Sequence, residues 1–335
     1  MSQAITKETL PWHTSLWAEW LRQLDAVRMP HALLLSGLVG LGKRQLAEAF
    51  SQALLCAADS EHKPCGDCKS CRLIQAGSHP DLRILEPEEV GKGIKISQIR
   101  DLVVFLAGTA QQGGWKCVVI EPADAMNHHA ANALLKSLEE PPAATMMILV
   151  TATPSRLTAT LRSRCHQLRL KAPPREEALT WLKPQLGDRA EALLDYALGA
   201  PLAALAASQQ GKLDTRAEIL ALLLDLAQGQ GTAIDAAKRI QGFVGLEAMD
   251  QLLVFLGDAA KAQVGSAAPP DVASAPWCAV LERVDRQLLF RFRDKLIRAK
   301  DLLLGSANPN KQLLWEELML DWQALGKTPR TRSVA

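Results

Sequence analysis

The stretch Gly37-Leu38-Val39-Gly40-Leu41-Gly42-Lys43-Arg44 follows a short apolar run over residues 31–36 and precedes a helical pattern over 43–55. Strand, glycine loop and helix in that order are what a phosphate-binding loop requires, and they commit the chain to an α/β domain built on a largely parallel sheet. In a working loop the glycines let backbone N–H groups wrap the phosphates, the lysine reaches the β- and γ-phosphates, and a following Ser or Thr oxygen ligates Mg²⁺. Gly37, Gly40, Gly42 and Lys43 keep the cradle, but Arg44 stands where the hydroxyl belongs and offers a metal no oxygen. The loop points to a nucleotide-hydrolase scaffold kept for something other than hydrolysis.

Further strands are expected over 82–85, 116–120, 146–150 and 167–170, with helices over 96–106 and 127–138, the second stopped by Pro141-Pro142. The strand at 116–120 runs into Glu121-Pro122-Ala123-Asp124. In a nucleotide hydrolase an Asp at this strand end helps hold Mg²⁺ and the next residue, a Glu, polarises the attacking water. Glu121 keeps a carboxylate one methylene longer than that Asp, whereas Pro122 can neither accept nor donate a proton. Arg44 and Pro122 are two separate losses to one reaction.

Seven cysteines are present, and four of them, Cys56, Cys65, Cys68 and Cys71, form a C-x8-C-x2-C-x2-C run with Gly66-Asp67 supplying a tight turn. Two overlapping C-x2-C steps place three thiolates on one small knuckle, and Cys56 at the end of the preceding helix can complete a tetrahedron around Zn²⁺. His62 and His79 lie close enough in sequence for either to replace one sulfur. Four sulfurs would close the coordination shell, so the site is expected to be structural and not catalytic.

Composition excludes little. A formal net charge of +2 on 335 residues means that any nucleic-acid contact must come from a local basic patch. Trp12, His13, Trp17, Glu19 and Trp20 interrupt the apolar run that a secretory leader would need, and no apolar stretch of roughly 18 residues suggests a membrane span. A cytoplasmic location is the expectation. From about residue 171 the patterning turns helical, with Pro173-Pro174-Arg175-Glu176-Glu177 as a linker and helix start. Helices are clearest over 217–226, 246–262, 278–304 and 312–325, with a Pro/Gly-rich connection at 265–271.

Taken together, these segments resemble the clamp-loader branch of the AAA+ ATPases, and within it the delta-prime family of bacterial DNA polymerase III. The resemblance rests on Pro30-His31-Ala32-Leu33-Leu34 before the glycine loop, the four-cysteine run, and Gly77-Ser78-His79-Pro80-Asp81. It rests further on residues 132–142, Asn-Ala-Leu-Leu-Lys-Ser-Leu-Glu-Glu-Pro-Pro, on Leu161-Arg162-Ser163-Arg164-Cys165, and on Asn308-Pro309-Asn310-Lys311-Gln312-Leu313, and so covers nearly the whole chain. It implies an AAA+ P-loop domain over 1–170 with a zinc module at 56–71, a small helical lid over 171–210, and an all-α collar domain over 211–335 that holds subunits together.

The resemblance also implies a role for residues outside the loop. The ATPase subunits carry a second-sensor arginine where Ala203 stands here, and Thr151 falls near the first-sensor position. In a ring of such subunits an arginine supplied in trans can stabilise the transferring phosphoryl group, because a guanidinium is permanently charged and donates parallel hydrogen bonds. Arg164 is the expected finger, with Arg162 close enough to confuse the assignment. The implied partners are gamma/tau and delta subunits and, through the complex, the sliding clamp and primer-template DNA. The implied polymerase complex is a nucleotidyltransferase, with no ATP/Mg²⁺ hydrolysis expected of this chain. A gamma/tau-like ATPase with an unusual metal site and a zinc-dependent DNA-binding module are the alternatives.

Overall fold

The computed structural model describes residues 10–327 apart from 27–28, 59–62, 90, 113, 244, 267, 270 and 305–308. His62 and Asn308 therefore lie outside the described residues. By internal contacts the chain forms two compact units. One comprises the residues up to Gln185 with Leu198–Ala204, the other Leu186–Ala197 with the residues from Leu205 onward.

In the first unit, β1 (Ala32–Ser36), β2 (Leu82–Leu85), β3 (Lys116–Ile120), β4 (Thr145–Thr151) and β5 (His166–Arg169) form one five-stranded sheet in the order β2-β3-β4-β1-β5. Every pairing is parallel. The strand carrying the glycine loop is therefore interior, with Leu34 opposite Leu149 on one side and Gln167 on the other. Strands β3 and β4 are buried along their whole length, as parallel strands covered on both faces must be.

The helices of this unit are α1 (Thr14–Asp25), α2 (Lys43–Leu55), α3 (Lys69–Gln75), α4 (Ile96–Ala107), α5 (His128–Glu139) and α6 (Ala159–Arg162). Alternate strand residues serve the two faces. Leu34, Val118, Ile120, Met147 and Leu149 pack with Ile99 and Leu102 of α4 and Leu134 and Leu138 of α5. Leu33, Leu35, Cys117, Val119 and Ile148 pack with Trp20 of α1 and Leu46 and Phe50 of α2, and Trp20 stacks on Phe50 at 4.1 Å between ring centroids. Helices thus cover both faces of a parallel sheet, the α/β arrangement in which a phosphate loop can leave an interior strand.

Helices α7 (Arg175–Leu186), α8 (Ala190–Tyr196) and α9 (Pro201–Gln209) fall in the stretch 171–210, which is shared between the two units. The second unit continues as α10 (Lys212–Ala227), α11 (Ala233–Gly242), α12 (Gly245–Ala262), α13 (Ala275–Leu281), α14 (Arg286–Leu304) and α15 (Lys311–Lys327). Its core gathers Phe255, Trp277, Trp315 and Trp322, and the Trp322 indole N–H donates to the Leu223 carbonyl at 2.9 Å. The pattern over 278–304 suggested one helix, but the chain breaks it into α13 and α14. Asp285 makes the restart, its carboxylate accepting from the backbone N–H of Gln287 at 2.8 Å and Leu288 at 3.2 Å. Such a cap is available only where a helix begins. Among the described residues no single helix is long and apolar enough to cross a membrane.

Candidate functional site

The loop from β1 to α2 has the backbone of a phosphate cradle. Gly40 and Gly42 sit at φ of 82° and 79°, a region where a side chain is strained. A Cβ on Gly40 would lie 2.4 Å from the backbone nitrogen of Ala203, and one on Gly42 would lie 2.4 Å from Leu10 Cδ1. The Leu202 N–H donates to the Gly40 carbonyl at 3.1 Å. The structure thus brings the segment around Leu202 and Ala203 directly onto the loop.

The charged groups of the loop are engaged within the chain. Lys43 is buried, and its ammonium donates to the carbonyls of Gly37 at 2.9 Å and Leu38 at 2.7 Å. Burial pulls its pKa below the ordinary lysine value against the opposing pull of Glu121 and Asp124. Arg44 donates to Glu48 at 3.0 Å, pairs with Glu86, and lies 3.7 Å from Glu121. Burial pushes the Glu121 carboxyl above the usual range, the Arg44 guanidinium opposing, and Glu121 Oε2 is buried without a hydrogen-bond partner.

Glu121, Pro122 and Thr151 line one cavity of about 280 Å³ with Gly40, Gly42, Lys43 and Arg44. Thr151 Oγ1 donates to the Asp124 carboxylate and accepts from the Thr153 N–H at 3.0 Å. In this arrangement a guanidinium tied to three carboxylates stands where a metal-ligating oxygen would be, and a proline stands where a water would be activated.

Two residues at the base of the loop carry a role that sequence reading did not assign. The Trp12 indole N–H donates to the Leu41 carbonyl at 2.9 Å, and His13 Nε2 reaches the same oxygen at 2.7 Å. Since a carbonyl can only accept, the His13 proton is on Nε2, and burial holds its pKa below the ordinary histidine value. The contact spans 28 residues for His13, so no local pattern announces it.

The cysteine knuckle assembles as expected. The sulfurs of Cys56, Cys65, Cys68 and Cys71 all lie within 4.8 Å of one another, with Cys56 to Cys65 at 3.6 Å and Cys56 to Cys68 at 3.9 Å. A tetrahedral Zn²⁺ with bonds of about 2.3 Å needs sulfurs about 3.8 Å apart, so the donor set fits the ion. Backbone N–H groups of Cys65, Cys68 and Cys71 point at sulfurs 3.4–3.5 Å away, which favours thiolates. Burial opposes ionisation of Cys68, but hydrogen bonds from the backbone of Cys71 and Ala57 and from the thiols of Cys71 and Cys65 together outweigh it, and the thiol falls to about 6. His79 is not a ligand: its Nδ1 accepts from the Asp81 N–H at 3.1 Å and its Nε2 donates to Ser70 at 2.7 Å.

Arg164 lies beyond the short helix α6, far along the chain from the loop. Its guanidinium pairs with Glu139 at 2.6 Å and donates to the Thr160 carbonyl at 2.8 Å, leaving the side chain about a third exposed at 34%. Arg162, by contrast, buries its Nε without a hydrogen-bond partner.

The family described as DNA polymerase III, delta subunit, matches residues 12–174, and its C-terminal counterpart matches residues 210–324. The DNA polymerase III subunit delta' of Pseudomonas aeruginosa is 35% identical over 347 aligned positions, covering 94% of this chain and 97% of that protein. The chain belongs to the DNA polymerase III delta-prime family. Subunit delta' of Escherichia coli is 34% identical over 317 positions, 91% of this chain and 94% of that protein. Subunit tau of Salmonella typhimurium is 37% identical, but over 149 positions that span 44% of this chain and 23% of that protein. The likeness to delta-prime proteins therefore runs through both units, while the likeness to tau is partial.

Proposed function

We propose that this chain is a non-hydrolysing subunit of the DNA polymerase III clamp loader. In this reading it assembles with gamma/tau and delta subunits and supports ATP-dependent loading of the sliding clamp onto primed DNA during chromosomal replication. Its own division of labour follows the 1–170, 171–210 and 211–335 partition, with Zn²⁺ held by Cys56, Cys65, Cys68 and Cys71. Arg164 acts in the ATP site of an adjacent gamma/tau subunit, where a guanidinium stabilises charge on the transferring phosphoryl group.

The observation that carries the reading is the state of Arg44. A guanidinium held by Glu48, Glu86 and Glu121 places positive charge where Mg²⁺ would sit and supplies no ligand oxygen. Neither Pro122 nor Ala203 restores what is missing, since one lacks a basic atom and the other lacks a charge.

Three measurements test this. The isolated chain should neither bind Mg-ATP tightly nor turn it over; turnover would favour a gamma/tau-like ATPase. In the reconstituted complex, Arg164→Ala should lower the ATPase rate by about tenfold or more, while Arg162→Ala serves as the control. An unchanged rate for Arg164→Ala removes the finger role. Salt-sensitive DNA affinity in the isolated chain would favour a DNA-binding module instead.

A further inference from the structure

We propose that Glu139 is a positioning residue for Arg164, holding the guanidinium in the orientation it needs to reach a phosphoryl group on a neighbouring subunit. This rests on the trans role proposed above for Arg164 and goes beyond it by assigning work to the Glu-Glu-Pro-Pro turn. The residues that build the hold are all local. Helix α5 ends on Glu139 itself, and Glu140 leaves the helical region at φ −123° and ψ 72°. Pro141 imposes this, because its ring disfavours helical geometry in the residue before it. The turn therefore fixes which carboxylate is the last on the helix and where it sits.

On the other side, α6 is a single short turn capped by Thr158, whose side chain accepts from the Leu161 N–H. Helices α5 and α6 pack on each other. Arg164 follows α6 directly and is held at two points, NH2 on Glu139 Oε1 at 2.6 Å and NH1 on the Thr160 carbonyl at 2.8 Å. A guanidinium has further N–H donors beyond these, so the group is oriented and still able to donate outward. With Glu139 49% exposed, the pair contributes little to folding stability, as exposed ion pairs generally do. What a two-point hold does supply is pre-organisation: a long flexible side chain loses its alternative rotamers before the partner arrives.

The test uses the complex reconstituted from full-length chains. Glu139→Ala should lower kcat for ATP by about three- to tenfold and leave KM for ATP unchanged, the signature of an interaction that matters in the transition state. Glu139→Gln keeps an acceptor oxygen for NH2 and should recover part of the loss. Neither variant should alter the melting temperature or the amount of assembled complex. In an Arg164→Ala background Glu139→Ala should have no further effect. If Arg164→Ala lowers the rate while Glu139→Ala leaves or raises it, the positioning role is wrong and the finger stands. An additive loss in the double variant likewise overturns it. If Arg164→Ala itself changes nothing, the trans role fails and the positioning role goes with it. Should Glu139→Ala fail to assemble, Glu139→Gln alone decides, since full activity with Arg164→Ala impaired would show that the carboxylate charge holds nothing in place.

Discussion

The glycine loop and the cysteine knuckle belong to the same compact unit and are joined by α2, yet they handle charge in opposite ways. At the loop, every cationic group has an internal partner: Lys43 on two carbonyls, and Arg44 on Glu48, Glu86 and Glu121. At the knuckle, four sulfurs converge within 4.8 Å, and backbone N–H groups point at three of them. The loop answers its charges with its own side chains, while the knuckle offers donors that could hold a cation from outside. One scaffold thus carries a cradle neutralised by its own side chains and a cluster of donors that could hold a metal ion.

The largest effect expected from this contrast is at the knuckle. Cys68→Ser should remove bound zinc and lower stability by several kcal/mol, because metal-binding energy becomes folding energy wherever the site forms only in the folded chain. Metal content and thermal unfolding, measured together on the same preparation, check this. Unchanged values for both would mean that the four thiols are ordinary free cysteines. Because bound thiols must be deprotonated, metal retention should also weaken as pH falls.

The second effect concerns the loop's geometry and separates it from its charges. Gly40→Ala should destabilise the chain by roughly 2 kcal/mol or more, from a left-handed backbone strained by a side chain and from the collision with Ala203. Thermal or denaturant unfolding reads it. A near-neutral result would show that the segment around Ala203 yields readily and does not seal the cradle.

How much of this could be read from residues alone depended on whether the signal was local. The strand before Gly37 and the helix after Gly42 follow from periodicity and loop chemistry, and the cysteine set follows from spacing within one turn. His79 has the sequence proximity of a ligand, but proximity is blind to direction: its two ring nitrogens are taken by Ser70 and the Asp81 N–H. Asp81 in turn accepts from the backbone N–H groups of Gln111 and Gln112, about thirty residues away, which gives the His-Pro-Asp segment a structural role no pattern announced. The clasp of Trp12 and His13 on Leu41 was hidden for the same reason. Glu139 carries no signal of its own in the sequence, since nothing in the string tells which of two adjacent glutamates faces Arg164.

The smallest expected effect probes the carboxylate that the loop buries. Burial lifts the Glu121 pKa in the folded chain, so the folded state holds its proton more readily than the unfolded state does. Stability from this group therefore falls as pH rises from the ordinary carboxylate value through the raised one, and the cost is complete above it. Glu121→Gln removes the titration and leaves Arg44 with Glu48 and Glu86. The variant should equal or exceed the parent at neutral pH, by no more than about 1 kcal/mol, with the difference vanishing as pH is lowered through the carboxylate range. Unfolding curves for both proteins across that range check it. A variant clearly less stable than the parent at neutral pH would mean that the pairing of Glu121 with Arg44 outweighs its burial. Its carboxylate would then be a working part of the closed loop and not a remnant of a lost metal site.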